Sequence, residues 1–236
     1  IYGCKVGQNA HYWGSNYVYN NTIAKNGFGT NLIIRYTNGL PIGTNIETQW
    51  LPAVTIANST NNIFVNNLLW GNWNNVITGE DEPMILGAAL FLNNLYATSA
   101  SLFIDTNDGG PWSQTQPNYA LQTGSPAIDA GTWLTTVTSA SGSGTTFKVA
   151  DANYFFAGQT AATRTLPGDT IQLQGHTATA TITSISGNTI TVATPLNWTS
   201  GQGLALAYAG TAPDAGAYEY YPLSSPTNLR IITAAP

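Results

Sequence analysis

Charge is the scarcest property of this chain. Lys, Arg, Asp and Glu make up 7% of its 236 residues, against roughly 25% in an ordinary soluble domain. Six basic residues and a net charge of -5 leave no cationic face for a phosphate backbone, which argues against nucleic acid as a partner. The single cysteine, Cys4, excludes an intrachain disulfide, and no Cys-His nucleophile signature accompanies it. No apolar run approaches the roughly 18 residues of a membrane helix, so no membrane span is expected. Sustained helical periodicity is missing as well, which removes helical bundles and helical solenoids.

What remains is polarity supplied by Asn, Thr, Gly and Ser, with 43% hydrophobic residues to support a core. This combination suits an extracellular, β-rich protein. The opening "IYGCKVGQN" reads as already inside a structured segment, so the sequence is expected to be a mature or truncated piece of something longer.

Three stretches share one plan: "YVYNNTI" at 17–23, "IFVNNLL" at 63–69 and "LFLNNLY" at 90–96. Each is a short apolar strand, an Asn-Asn pair and a second apolar stretch. The first Asn of each pair is Asn20, Asn66 and Asn93, at spacings of 46 and 27 residues. Repeats of this length signal a solenoid. Val, Ile, Phe, Tyr and Thr in the short strands make it a β-solenoid. Asn at a fixed place in each turn can stack at the strand spacing of about 4.8 Å, each amide bonding to the one above and below. The pairs therefore read as structural ladders. The interval of 46 residues fits two short turns, or one turn carrying an extruded loop at 37–52, "TNGLPIGTNIETQWLP".

From about residue 133 to 211 the texture changes to Thr-rich alternation. "ISGNTITV" is a hairpin signature joined at Ser-Gly-Asn, and about six short strands are readable, enough for a small β-barrel or β-sandwich. This segment stands between "SPAIDAGT" at 125–132 and "DAGAYEY" at 214–220.

Taken in order, "NNIFVNNLLWGN" at 61–72, "SLFID" at 101–105, "NYALQTGSPAIDAGT" at 118–132 and "DAGAYEY" resemble the C-terminal end of secreted bacterial right-handed parallel β-helix proteins. These belong to the pectate-lyase-like superfamily. The resemblance covers most of 16–132 and 212–221. Ser101 stands where Pro is usual, and the two closing motifs, normally separated by a short segment, here enclose the Thr-rich stretch. The resemblance implies an all-β parallel β-helix and secretion or display at the cell surface. It implies little about reaction, because related helices serve as lyases, hydrolases, adhesins and passive stalks. The expected organisation is parallel β-helix turns over 1–132, an inserted small β-module over 133–211 and a returning segment at 212–221 that closes the helix. Residues 222–236 read as a linker or the start of a following module, since "SPTNLRI" is similar to the opening strand of fibronectin type III modules.

Candidate chemistry is thin. Glu80, Asp81 and Glu82 form the densest carboxylate cluster, where calcium, a hard ion wanting several oxygen ligands, is the one cofactor raised. The bland alternative is a solvated acidic turn before Pro83. Asp105 and Asp108, in "IDTNDGG", resemble half of a calcium loop or a capped turn. A β-eliminating lyase needs a basic residue, for which Arg35 is best placed, and a glycoside hydrolase needs carboxylates across a groove, with Glu47, Asp105 and Asp108 on offer. Trp50, Trp70, Trp73 and Trp112, with Tyr36, fall at loop-like or turn-end positions where flat rings can stack on sugars. Packing in the core is the competing reading for each. Asp129 and Asp214 are expected to bond to backbone amides at the Gly turns that follow them and to lie near one another in space.

The function this points to is a secreted or surface protein that interacts with a polysaccharide, as scaffold and recognition element. A polysaccharide lyase or glycoside hydrolase is one alternative, and a structural or adhesive protein that self-associates through an exposed β-helix edge is the other.

Overall fold

The computed structural model describes residues 8–11, 17–24, 31–37, 40–47, 52–57, 62–70, 74–79, 89–97, 99–107, 117–161 and 163–222. Over these the protein is all-β, with one 3-10 turn at Ala100–Leu102. The chain begins with β1 (Gln8–His11), β2 (Tyr17–Tyr19), β3 (Thr22–Ala24), β4 (Asn31–Thr37), β5 (Leu40–Glu47) and β6 (Pro52–Ala57). Then come β7 (Asn62–Val65), β8 (Leu68–Trp70), β9 (Asn74–Gly79), β10 (Ala89–Leu92), β11 (Leu95–Ala97), β12 (Phe103–Asp105) and β13 (Asn118–Leu121). The last group is β14 (Thr135–Thr136), β15 (Gly142–Lys148), β16 (Gln159–Ala161), β17 (Arg164–Leu166), β18 (Thr170–Leu173), β19 (Thr179–Ser186), β20 (Thr189–Trp198) and β21 (Gly203–Leu206).

Three small parallel sheets dominate the first half, in the orders β1-β6-β9, β2-β7-β10 and β3-β8-β11. Each sheet takes one strand from each of three successive passes of the chain. Tyr17 pairs with Ile63 and Thr22 with Leu68, so the 46-residue interval is one pass with a long excursion. That excursion contains an antiparallel hairpin, β4 with β5, which overlaps the extruded loop expected over 37–52. The sequence reason is Asn38-Gly39 between two apolar-rich strands, the strongest short hairpin signal.

The Asn-Asn pairs form the bends from β2 to β3, β7 to β8 and β10 to β11, and the two residues of each pair do different work. The first occupies the left-handed region, with φ of 50° at Asn20, 55° at Asn66 and 48° at Asn93. Asn tolerates that conformation better than other side-chain-bearing residues. The second builds the ladder. Asn21 Nδ2 donates to Asn67 Oδ1 at 3.0 Å, and Asn67 Nδ2 donates to Asn94 Oδ1 at 2.8 Å. The main-chain N–H groups of Asn21 and Asn67 donate to the same oxygens. Asn67 Nδ2 also donates to Val18 O, and Asn94 Nδ2 to Phe64 O, so the amides satisfy strand carbonyls beside the bends. Asn66 and Asn67 are fully buried, a position that polar groups hold only when bonded in this way.

Period-two alternation sorts the apolar residues into ranks running across the passes. Val18, Phe64 and Phe91 align on one face of β2-β7-β10, with the Phe64 and Phe91 rings stacked 5.3 Å apart. Tyr17 and Tyr19, Ile63 and Val65, and Leu90 and Leu92 share the other face. On β3-β8-β11, Ile23 and Leu69 are fully buried in one rank. Ala24, Leu68, Trp70 and Ala97 pack against Leu102, Phe103, Tyr119, Leu121, Ala127 and Ala215. Burying each large aliphatic here stabilises the fold by about 1.5–3 kcal/mol.

The second half is a six-stranded antiparallel sheet in the order β14-β21-β18-β19-β20-β15, curled like half a barrel. A bridge from Val137 to Val149 draws its two edge strands together. β16 and β17 form a separate small hairpin. Its core, with Phe147, Ile171, Leu173, Ile182, Ile190 and Leu204 fully buried, extends onto Val65 and over Tyr17, Tyr19 and Ile63. The curled sheet thus sits on the outward face of β2 and β7. Tyr17 donates its hydroxyl to Asp151 Oδ2 at 2.8 Å and Tyr19 to Tyr154 O at 2.5 Å. The Tyr154 ring meets both tyrosines edge-on. Burial, then the charges of Asp151 and the neighbouring tyrosines, push the Tyr154 phenol up to about 12, so it stays neutral there.

Candidate functional site

Three carboxyl groups, Asp129, Asp214 and Glu219, meet where the chain closes over the parallel sheets. Ser125 to Ala130 winds through tight turns, with Ser125 N–H donating to Gln122 O and Ile128 N–H to Ser125 O. These turns deliver Asp129 in the left-handed region, at φ 55°. Its Oδ1 accepts from Thr211 N at 2.7 Å and Ala212 N at 3.0 Å. Its own N–H donates to Asp214 Oδ1 at 2.7 Å, so residues 85 positions apart meet. Asp214 Oδ2 accepts from Tyr220 N at 2.5 Å. Glu219 completes the stitching, accepting from Asp214 N at 3.1 Å and Ala209 N at 3.3 Å.

The two Asp-Ala-Gly motifs are joined by main chain as well. Gly131 N–H donates to Pro213 O at 2.8 Å, and Ala215 N–H to Ala127 O at 2.9 Å. A Cβ on Gly131 would lie 2.7 Å from Pro213 O, so only glycine allows this approach. Gly216, at φ 109°, lies against Thr22 and Leu68, and its N–H donates to Asn66 O. The Asn66 side chain grips the segment leading to β14, accepting from Thr132 N and donating to Thr132 O. The closure is thereby fastened to the bends it covers.

The three carboxyl groups differ in acidity for identifiable reasons. The N–H groups of Ala212 and Thr211 hold Asp129 below the usual range. Burial raises Asp214 against the pull of its N–H donors. Burial raises Glu219 to about 7, helped by the charges of Asp214 and Asp129. Both oxygens of Asp214 and Glu219 and one of Asp129 are occupied by main-chain N–H groups. Main-chain N–H groups thus make these carboxylates the stitching of the closure. Among the described residues no group of three or more His, Cys, Asp or Glu is arranged to hold a metal ion.

The residues nominated from sequence are dispersed. Trp70 is buried, its ring edge-on to Phe103 and tilted against Tyr119, so it packs the core and offers no face to a sugar. Asp105 is exposed, and its Oδ1 caps the turn by accepting from Asn107 N at 2.8 Å. Arg35 and Tyr36 lie on β4 and Glu47 ends β5. Arg35 pairs with Gly43, while Glu47 pairs with Asn31. Arg35 and Glu47 are thus separated by four positions along the hairpin, about 13 Å at about 3.3 Å per residue. Trp50, Trp73, Trp112, Glu80, Asp81, Glu82 and Asp108 lie outside the described residues. Tyr17, Tyr19, Asp151 and Tyr154 were not singled out. Their only signal was two tyrosines at alternate positions of an apolar strand.

The comparisons with known proteins add no relative. No protein-family model, curated protein or solved structure matches this chain.

Proposed function

We propose that this is a secreted or cell-surface protein of the right-handed parallel β-helix class. In it, the part seen here is a scaffold and recognition element for a polysaccharide. The observation carrying the proposal is the recurrence of one strand order, with β1-β2-β3, β6-β7-β8 and β9-β10-β11 each contributing one strand to the same three parallel sheets. Such a recurrence is what the walls of a β-helix require, and parallel crossovers are right-handed in nearly all proteins. The asparagine ladder and the joined Asp-Ala-Gly motifs support the resemblance to the pectate-lyase-like superfamily. A surface dressed with amides and hydroxyls suits neutral, hydroxyl-rich ligands. No helix among the described residues is long and apolar enough to cross a membrane.

The test is binding and turnover of the full-length protein against a panel of neutral and acidic polysaccharides, with and without chelator. Saturable binding without turnover is the expected result. Turnover of any panel member would replace the scaffold reading with the lyase or hydrolase one, and loss of binding on chelation would assign calcium a role. Failure to bind any member would overturn the polysaccharide reading.

A further inference from the structure

The returning segment is fastened to the turns it crosses by carboxyl groups that answer one another. Glu219 Oε1 accepts from Asp214 N, Asp214 Oδ1 from Asp129 N, and Asp129 Oδ1 from Thr211 N and Ala212 N. Glu219 Oε2 reaches back to Ala209 N. Among the described residues, the charges bearing on Glu219 are those of Asp214 and Asp129, and no Lys, Arg or His acts on any of the three. The neighbouring phenols are engaged elsewhere, Tyr220 with Thr123 Oγ1 at 2.8 Å and Tyr208 with Leu173 O at 3.3 Å.

Two features make the returning side the weaker one. The bonds to Glu219, at 3.1 and 3.3 Å, are longer than those to Asp129 and Asp214, at 2.5 to 3.0 Å. Gly210, at φ 85°, turns the chain where the segment starts, and a Cβ there would collide with Asp129 Oδ1. Glycine alone adopts that turn freely, so a hinge lies beside the carboxyl group that grips the segment.

We infer that these three carboxyl groups form a pH-sensitive latch, closed in mild acid and opening about Gly210 in mild base. The physical cause is like charge, because ionising Glu219 adds a negative charge beside Asp214 and Asp129 where no described cation answers it. Burial raises Glu219 from 4.5 to about 7, and the charges of Asp214 and Asp129 add to the rise. A group raised on closing stabilises the closed form fully below about 4.5 and loses that contribution as pH rises through about 7. Asp214 acts in the same direction and Asp129 in the opposite one. Opening breaks the main-chain bonds from Ala215 to Ala127 and from Gly216 to Asn66, and uncovers the apolar cluster around Leu68 and Ala127. The latch is independent of the polysaccharide reading and stands or falls separately from it.

The test is hydrogen exchange of the full-length protein at about pH 5.5 and about pH 8, read by mass spectrometry and corrected for the intrinsic pH dependence of amide exchange. The roughly thirtyfold change in opening that a rise from 4.5 to about 7 allows is reduced to about tenfold by solvent screening. Amides of 209–220 should therefore exchange about tenfold faster at the higher pH, with those of 135–206 unchanged. Glu219→Gln, neutral at both, should remove the difference, and an unchanged far-UV circular dichroism spectrum shows the variant folded. The wild-type protein supplies a second measurement, in which the Glu219 carboxyl carbon resonance should titrate with a midpoint near 7. Equal protection of 209–220 at both pH values overturns the latch, as does a midpoint in the ordinary glutamate range. A pH step that survives in Glu219→Gln, or one shared by 135–206, overturns it too.

Discussion

The parallel sheets and the curled sheet solve the same problem, burying apolar residues of a nearly uncharged chain, in opposite ways. In the curled sheet all pairings are antiparallel: β18, β19 and β20 follow one another as hairpins, and β14, β15 and β21 join them from farther along the chain. One core of aromatic and aliphatic residues gathers inside the curve. In the parallel sheets, each strand pairs with one from another pass, 46 or 27 residues away in the two sheets joined by the Asn-Asn bends, and the positions that hold the passes in register there are polar. The antiparallel sheet needs turn chemistry and a filled interior. A stack of passes needs the same polar residue at the same place every time, because each layer's satisfied amides are the template for the next.

The contrast can be broken from either side. The largest effect is expected from Phe147→Ala, which empties the centre of the curled core beside Trp198. It should cost about 3–5 kcal/mol, read as loss of amide protection over 135–206 in hydrogen exchange while 62–70 stays protected. Asn67→Ala should reverse that pattern. It strands buried partners on Asn21, Val18 and Asn94 at about 1–3 kcal/mol each. After relaxation the cost should be about 2–4 kcal/mol, seen as exposure of the 62–70 amides with the curled sheet intact. Equal losses in both regions for either variant would show one cooperative unit where two are expected.

A pH series sharpens the comparison at the closure. Folding raises Glu219 from 4.5 to about 7, so the folded state holds this proton more tightly than the unfolded one. Its stabilising contribution is complete below about 4.5 and is lost as pH rises through about 7. The slope is at most about 1.4 kcal/mol per pH unit. Asp214, also raised, acts with the same sign, and Asp129, lowered, with the opposite one. Stability of the closing segment, followed by thermal unfolding, should fall between about pH 4.5 and 7, and Glu219→Gln should flatten that fall. Smallest is Tyr19→Phe, which removes the hydroxyl bonded to Tyr154 O and keeps the ring. A loss of about 1 kcal/mol should appear as separation of the two regions' melting transitions, and unchanged co-melting would exclude this bond as a coupler.

Much of this organisation was legible because it rests on local chemistry. The Asn-Asn pairs mark bends since few side chains tolerate the left-handed region, and Asp129 and Asp214 do meet as expected. The amides they bind are those of Thr211 and Ala212 and of Asp129 and Tyr220, where the Gly turns following each were expected. Which asparagine of each pair stacks was not legible, because that depends on strand phase and the two residues are chemically identical. Trp70 resembles a surface aromatic until Phe103 and Tyr119 are seen folded over it, a contact set by tertiary pairing alone. The seat of the curled sheet on Tyr17 and Tyr19 was hidden for the same reason. Strand alternation says that two faces exist and does not say what covers each.

The bond from Gly131 to Pro213 O places the exit and the return of the intervening eighty-odd residues at one point of the fold. A chain joined there directly would still close, so its evolution could exchange the curled sheet as a unit, as one changes a tool on a fixed handle. The handle keeps a memory of the tool, however. Tyr17, Tyr19, Ile63 and Val65 would stand bare in water after such an excision, so those four positions must turn polar whenever the curled sheet is lost. A relative with a short segment between its Asp-Ala-Gly motifs should carry that change written in its second and seventh strands.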